Sequence, residues 1–377
     1  MAAPQIPNLL SLRGKPRPRR LDRKGDPTSC ISASQQRRDL DIQGTDTDAA
    51  LSRMSAVSLG YLNDIYAPLF VKGPLIRRLP IINRGTYTRT FVLDFLIDSF
   101  LSSNEYSKDG KQKQIISLGA GTDTRYFRLR DCKKNKSVIY HEFDFPEVSL
   151  KKKKTILSHP KLCGNSDFEY FWSAAEPVDK DSEYKDWGFV RREGNTEEIV
   201  YCFHPIDLRQ IARAENIQSF LGLRADVPTL ILSECCLCYM DVIDSSNIIK
   251  WFTEKISSIG IILYEPIGSN DSFGQMMISN LAARNIVMPS LSHYKTLSDQ
   301  CKRLSEFGFD ITDPKNGCKA KDINATWEDW VPAAEKERVN YLEGLDEVEE
   351  WQMLAKHYAI VWGWRSVADE WYNWTKL

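Results

Sequence analysis

The stretch Ile115–Arg125, IISLGAGTDTR, decides the fold. Ile115, Ile116 and Leu118 form a short apolar run without the three-and-four spacing of a surface helix, and the run ends on Gly119-Ala120-Gly121. That pattern predicts a buried strand turning through glycines into a helix. Gly119 and Gly121 let backbone approach a ligand closely, and the helix beyond them turns its first N–H groups towards the same place. Only part of a GxGxxG pattern is present, because Thr124 stands where the third glycine would fall and no phosphate-clamping lysine follows. The loop therefore suits a nucleoside without a pyrophosphate better than a dinucleotide.

Working outward, VIYHEFDFP (138–146) repeats the arrangement of strand followed by acid. Further strand candidates are IVYCF (199–203), TLILSECCL (229–237), IGIILYEPI (259–267) and HYAIVWGWR (357–365), separated by helical stretches such as SSNIIKWFTEKISS (245–258) and YKTLSDQCKRLSEFG (294–308). This alternation predicts an α/β fold built on a doubly wound sheet. A donor-binding core is expected over 111–270, with the C-terminal part of the sheet and substrate-side elements over 271–377. Residues 46–110, with an acidic start at Asp46 and Asp48 and the periodic run TFVLDFLIDSFL, are expected to form a helical cap.

Residues 1–45 are rich in Pro, Arg, Ser and Gln and are expected to be a flexible basic tail. The start is Arg-rich and acid-poor like a transit peptide, but Pro4, Pro7, Pro16 and Pro18 interrupt any continuous amphipathic helix. The run Lys151–Lys154 and the polar stretch Pro177–Glu198 read as surface insertions. No internal repeat is evident.

Composition narrows the function classes. Fifty basic residues against 51 acidic ones leave a formal charge of -1, so no global field favours nucleic acid or an anionic membrane. No uninterrupted apolar run approaches the length of a membrane span. The nine cysteines are scattered and follow no signal peptide, which suits a reducing compartment; a cytoplasmic location and a monomer are the default expectations.

In open α/β sheets ligands lie beyond the carboxyl ends of the strands, so polar groups there are the site candidates. Asp144, on the strand after the glycine loop, sits at the offset from which a carboxylate accepts from both ribose hydroxyls. Asp207 can accept from an exocyclic amino group while Leu208 packs on a purine, or it can cap a helix. Glu234 ends an apolar strand, where a buried carboxylate needs a cation: either a ligand ammonium or an internal Lys or Arg. Arg84 and Arg89 stand at a helix entrance, five residues apart, so at most one faces a given ligand; for Arg84 a surface ion pair is expected. Cys235 and Cys238 form a CxxC without a second pair or a histidine cluster beside them in the sequence, and are read as core cysteines, with no metal site.

Read together, SRMSAVSLGYLNDIYAPLF (52–70), INRGTYTRT (82–90), SLGAGTDTRYFRL (117–129), EFDFP (142–146), DLR (207–209) and SECCLCYM (233–240) resemble the successive motifs of the leucine carboxyl methyltransferase family, in family order. The likeness continues through NIIKWF, LYEPIGSNDSFGQMMISNL and HYAIVWGW, covering roughly Thr45 to Arg365. The resemblance implies a class I methyltransferase fold with S-adenosylmethionine as donor and the C-terminal leucine carboxylate of the protein phosphatase 2A catalytic subunit as acceptor. It also implies that Arg89 holds the donor's carboxylate, Gly119 lies under its methionine part, Asp144 binds ribose, Asp207 and Leu208 bind adenine, and Glu234 binds the ammonium. Arg53 stands where the family has a lysine, keeping the charge and changing its geometry, and is a further candidate to hold the donor's carboxylate. Tyr239 and Arg89 are the acceptor-side candidates.

Two other readings share these residues. Relatives of the family methylate small molecules, or a tRNA in a wybutosine-forming enzyme; the tRNA form is expected to carry a long β-propeller extension, for which no residues remain after Leu377. A non-catalytic binding module would need none of Gly119, Asp144, Asp207 and Glu234 together.

Overall fold

The computed structural model describes residues 33–102, 112–132, 134, 137–163, 169–173, 184–193, 196–310, 315–346, 348–367 and 370–377. The chain divides into a unit Met1–Arg37, of which only the opening of a helix is described, and a unit Arg38–Leu377, which holds everything that follows.

The glycine-terminated run is a strand, β1 (Lys113–Leu118), with all six residues buried. A short helix, α3 (Arg125–Asp131), follows the glycine loop; two longer helices, α1 (Ala33–Ser58) and α2 (Pro80–Leu101), precede β1. Next come β2 (Val138–Asp144) and α4 (Pro146–Leu157), then β3 (Glu169–Ser173), β4 (Trp187–Glu193) and β5 (Thr196–Pro205). The chain then returns to the far side of β1 with β6 (Thr229–Glu234), α5 (Val242–Lys255) and β7 (Ile259–Pro266). Helices α6 (Ser272–Ala282), α7 (Pro289–His293) and α8 (Leu297–Ser305) lead to β8 (Asn316–Asp322). Helices α9 (Ile323–Trp330), α10 (Ala333–Leu342) and α11 (Val348–Lys356) lead to β9 (Tyr358–Arg365), and α12 (Tyr372–Thr375) ends the chain.

These strands form one nine-stranded sheet in the order β3-β4-β5-β2-β1-β6-β7-β9-β8. The five central strands, β5 to β7, are parallel; β9 runs antiparallel between β7 and β8, and β3-β4-β5 is an antiparallel edge. Because both faces are covered, the central strands read as near-continuous apolar runs instead of alternating ones. Successive residues still point to opposite faces. Ile115, Tyr140, Tyr201 and Leu230 join one core with Val92, Leu96 and Phe127 of α2 and α3, while Ile116, Phe143, Ile231 and Ile261 join the other with Ile248 and Phe252 of α5. Strand order reverses between β1 and β6, so the switch point lies at the glycine loop.

Four expectations need correction. The tail boundary at residue 45 falls inside α1, which begins at Ala33. Its first half lacks an apolar stripe and is held through polar groups, Asp39 to Arg209 and Asp46 to Thr122. Lys151–Lys154 is no insertion but part of α4, and Lys152 is buried, its Nζ 2.5 Å from Glu142 Oε2. Within Pro177–Glu198, residues 177–183 and 194–195 lie outside the described residues, but the remainder builds β4 and the start of β5, with Trp187 and Phe189 fully buried. Arg84 forms no surface ion pair: it is buried, donates to Asn340 Oδ1 at 2.5 Å, and lies over the rings of Trp327 and Trp351. Among the described residues no helix is long and apolar enough to cross a membrane.

Candidate active site

Four adjacent parallel strands, β2, β1, β5 and β6, end at one edge of the sheet and present Asp144, Gly119, Asp207 and Glu234 there. Gly119 and Gly121 both have left-handed backbone, with φ of 64° and 49°. A Cβ on Gly119 would lie 2.5 Å from Cys236 Sγ, and one on Gly121 would lie 2.5 Å from Asp46 Oδ1, so the loop has room for glycine alone at both positions.

Asp144 accepts from Gly121 N through Oδ2 and from Phe145 N through Oδ1, each at 2.7 Å. These bonds aim the carboxylate along the loop. Burial nevertheless pushes its carboxyl up to about 6, against the pull of the two N–H groups. Asp207 caps the short 3-10 turn Leu208–Arg213 by accepting from Arg209 N at 3.0 Å, the capping role foreseen as one alternative. Leu208 is buried beside it. Arg209 then closes on the same carboxylate from the side.

Glu234 is met by internal cations. Its Oε1 accepts from Arg89 Nε, and its Oε2 lies 2.6 Å from Arg125 Nη1. Burial pulls the carboxyl up, but Arg125 and Arg89 together hold it below the usual range. Arg125 is 3% exposed and also pairs with Asp123 and Asp94. Arg89 lies 4.7 Å over the ring of Tyr264, which stacks on Tyr358 at 5.5 Å.

Arg53 is fixed by Asp64, Nε to Oδ2 at 2.6 Å, and by Thr90. Its remaining nitrogen, Nη2, is enclosed and makes no hydrogen bond, as is Arg125 Nη2. Each guanidinium thus keeps one buried donor without a hydrogen-bond partner. Tyr239 lies beside Thr45 of α1, and Cys235, held at φ 50° just after β6, lies close enough to feel both Tyr239 and Arg89. The two acceptor-side candidates thus lie on either side of one residue, Cys235. Cys235 and Cys238 lie in the turn beyond β6, where Cys238 is buried and Cys235 is half-buried; the neighbouring Cys238 thiol holds Cys235 below the usual thiol range.

Sequence reasoning left out Asp46, Asp64, Arg125 and Arg209, which hold the assigned residues in place. Asp64, Arg125 and Arg209 lay inside motifs already singled out, NDIYAPLF, GTDTRYF and DLR, and the clustering of charge at strand ends was the signal that could have found them.

A five-stranded parallel centre with an antiparallel penultimate strand, carrying a glycine loop and acids at four successive strand ends, is the fold of a class I S-adenosylmethionine-dependent methyltransferase. The leucine carboxyl methyltransferase family model matches residues 30–253, and the chain belongs to that family. Leucine carboxyl methyltransferase 1 of Emericella nidulans is 40% identical, across 100% of this chain and 98% of that protein. The tRNA wybutosine-synthesizing protein 4 of Homo sapiens is 31% identical over 87% of this chain, which spans only 44% of that protein. Among solved structures, a putative methyltransferase from Thermobifida fusca aligns over 77% of this chain and 84% of its own with a TM-score of 0.45 and 10% identity, a distant likeness beside the sheet order itself.

Proposed function

We propose that this protein esterifies the α-carboxylate of the C-terminal leucine of the protein phosphatase 2A catalytic subunit, using S-adenosylmethionine. What carries the reading is the convergence at one sheet edge of Gly119, Asp144, Asp207 with Leu208, and Glu234, each of a chemistry that suits one part of the donor. The unpartnered Nη2 of Arg53 suits the donor's carboxylate, and Asp144 retains lone pairs beyond its two backbone bonds for the ribose hydroxyls.

Bound S-adenosylmethionine supplies a sulfonium-activated methyl, so that a C–O bond forms as the C–S bond breaks and S-adenosylhomocysteine leaves. A leucine carboxylate is ionised at neutral pH, so no residue of the chain has to remove a proton. The protein's task is then orientation and exclusion of water. Arg89, held by Glu234 and by the face of Tyr264, offers a fixed positive charge, and Tyr239, beside Thr45, offers a hydroxyl. Burial pushes the Tyr239 phenol far up, keeping it a neutral hydrogen-bond donor.

The test incubates the protein with methyl-labelled S-adenosylmethionine and either the intact catalytic subunit, the subunit lacking its last leucine, or tRNA. Base-labile label on the intact subunit alone is expected. Label on tRNA, or on both forms of the subunit, would overturn the acceptor assignment.

A further inference from the structure

His141 of β2 and Cys202 and His204 of β5 are buried side by side, none more than 1% exposed, and the site above uses none of them. His141 and Cys202 are register partners across the parallel pair, and His204, two residues on from Cys202, points to the same face. One ligand atom from each lies within 4.8 Å of the other two. His141 Nδ1 is 2.9 Å from His204 Nε2, Cys202 Sγ is 3.8 Å from His204 Nδ1, and Asp186 Oδ2 is 2.9 Å from that same Nδ1.

Counting protons shows what the cluster lacks. Asp186 Oδ2 takes the hydrogen of His204 Nδ1, which leaves the lone pair of His204 Nε2 facing His141 Nδ1. His141 Nε2 has no partner within hydrogen-bonding geometry. A cation between His141 Nδ1 and His204 Nε2 would be held by the lone pairs of both rings and would leave the hydrogen of His141 on Nε2. The other tautomer, with His141 Nδ1 donating to His204, strands Nε2 as a buried lone pair.

We propose that His141, Cys202 and His204 bind a divalent transition-metal ion of the zinc class, with Asp186 as the outer carboxylate that orients His204. Two imidazoles and a thiolate are the ligand types zinc prefers, and a carboxylate on the far nitrogen of a ligating histidine is the usual orienting contact. Two nitrogens bound to a tetrahedral zinc lie about 3.3 Å apart, so the rings need separate by only a few tenths of an ångström. Binding would displace the Cys202 proton to solvent and tie β2 to β5 three residues before Asp144 and Asp207.

The experiment uses untagged full-length protein and needs no methyl acceptor, so failure of the functional reading leaves it intact. Metal content is measured after zinc saturation and desalting; the chelated protein is then titrated with cobalt(II) and followed by absorption. The expected result is about one zinc per chain and a thiolate-to-cobalt charge-transfer band, both lost in Cys202→Ser and His204→Gln. Should either variant fail to fold, the doubly substituted Cys235→Ser, Cys238→Ser protein and Cys202→Ala decide: the thiolate band must survive in the first and be lost in the second. Less than about a tenth of a zinc per chain with no such band, or a band that survives in folded Cys202→Ser, would overturn the proposal.

Discussion

Arg209 grips both carboxylate oxygens of Asp207 with Nε and Nη2, at 2.6–3.0 Å, while Nη1 and Nη2 reach the two oxygens of Asp39 on α1 at 3.1 and 2.8 Å. One guanidinium thus joins the proposed adenine-binding acid to a helix outside the sheet. Asp39→Ala is expected to weaken donor binding by about 1–1.4 kcal/mol, roughly five- to tenfold, since the lost bonds are charge-assisted but partly exposed. Calorimetric titration with S-adenosylmethionine measures it; an unchanged affinity would mean that α1 and Asp207 are not coupled.

The four successive lysines of α4 should behave very differently. Lys152 meets Glu142 in a pair 1% and 0% exposed, and Tyr201 donates to the same carboxylate oxygen at 2.8 Å. Lys152→Met leaves a buried carboxylate without its cation and should cost about 3–5 kcal/mol of stability. Lys154→Met, on the exposed face, should change it by no more than about 0.5 kcal/mol. Urea denaturation of the two variants gives the comparison.

Donor affinity should depend on Asp144. Burial disfavours its charge and pushes the folded-state carboxyl up to about 6, from an ordinary aspartate value of about 3.9 in the unfolded chain. Between those values the folded protein holds a proton that the unfolded chain has released, so this group's contribution to stability falls as pH rises through the window. Accepting from two ribose hydroxyls needs the ionised form, so donor affinity should run the other way, full above about pH 6 and lost below it. Titration calorimetry of the wild type from pH 5 to 8 checks the affinity, and thermal melts of the wild type against Asp144→Ala over the same range check the stability; a pH-independent affinity would remove Asp144 from the ribose.

Glu234→Ala and Asp144→Ala are both expected to abolish measurable donor binding. Glu234→Ala carries a second effect, because it strips Arg125 of one of its three carboxylate partners and Arg89 of its ion pair. Its melting temperature should therefore fall as well. Intact donor affinity in both variants would sink the site assignment.

The parallel strands were legible because burial on both faces makes them apolar runs, and the glycine loop and its acids stood at their ends. What escaped was structure organised by charge. In the first half of α1, Asp39 is buried while the adjacent Leu40 is 64% exposed, the reverse of the pattern that reveals an amphipathic helix. Strands β3, β4 and β8 were missed because they lie on antiparallel edges and carry charged residues such as Arg191, Arg192, Lys319 and Lys321. At the site, side-chain identity pointed to Glu234 needing a cation, but only folding decides that Arg89 and Arg125, from α2 and α3, supply it.

The polar seating of α1 sets how the cleft responds to its solvent. Asp46 spans Thr122 and Lys151, and Asp48 reaches Arg78 and Arg284, so this stretch of helix rests on electrostatic attraction and not on oil-like burial. These pairs are partly exposed, so added salt weakens them, whereas the apolar contacts between strands and helices carry no charge to screen. The grip of α1 on Thr122, next to the glycine loop, is thus the part of the site that should loosen with ionic strength while the sheet beneath keeps its packing.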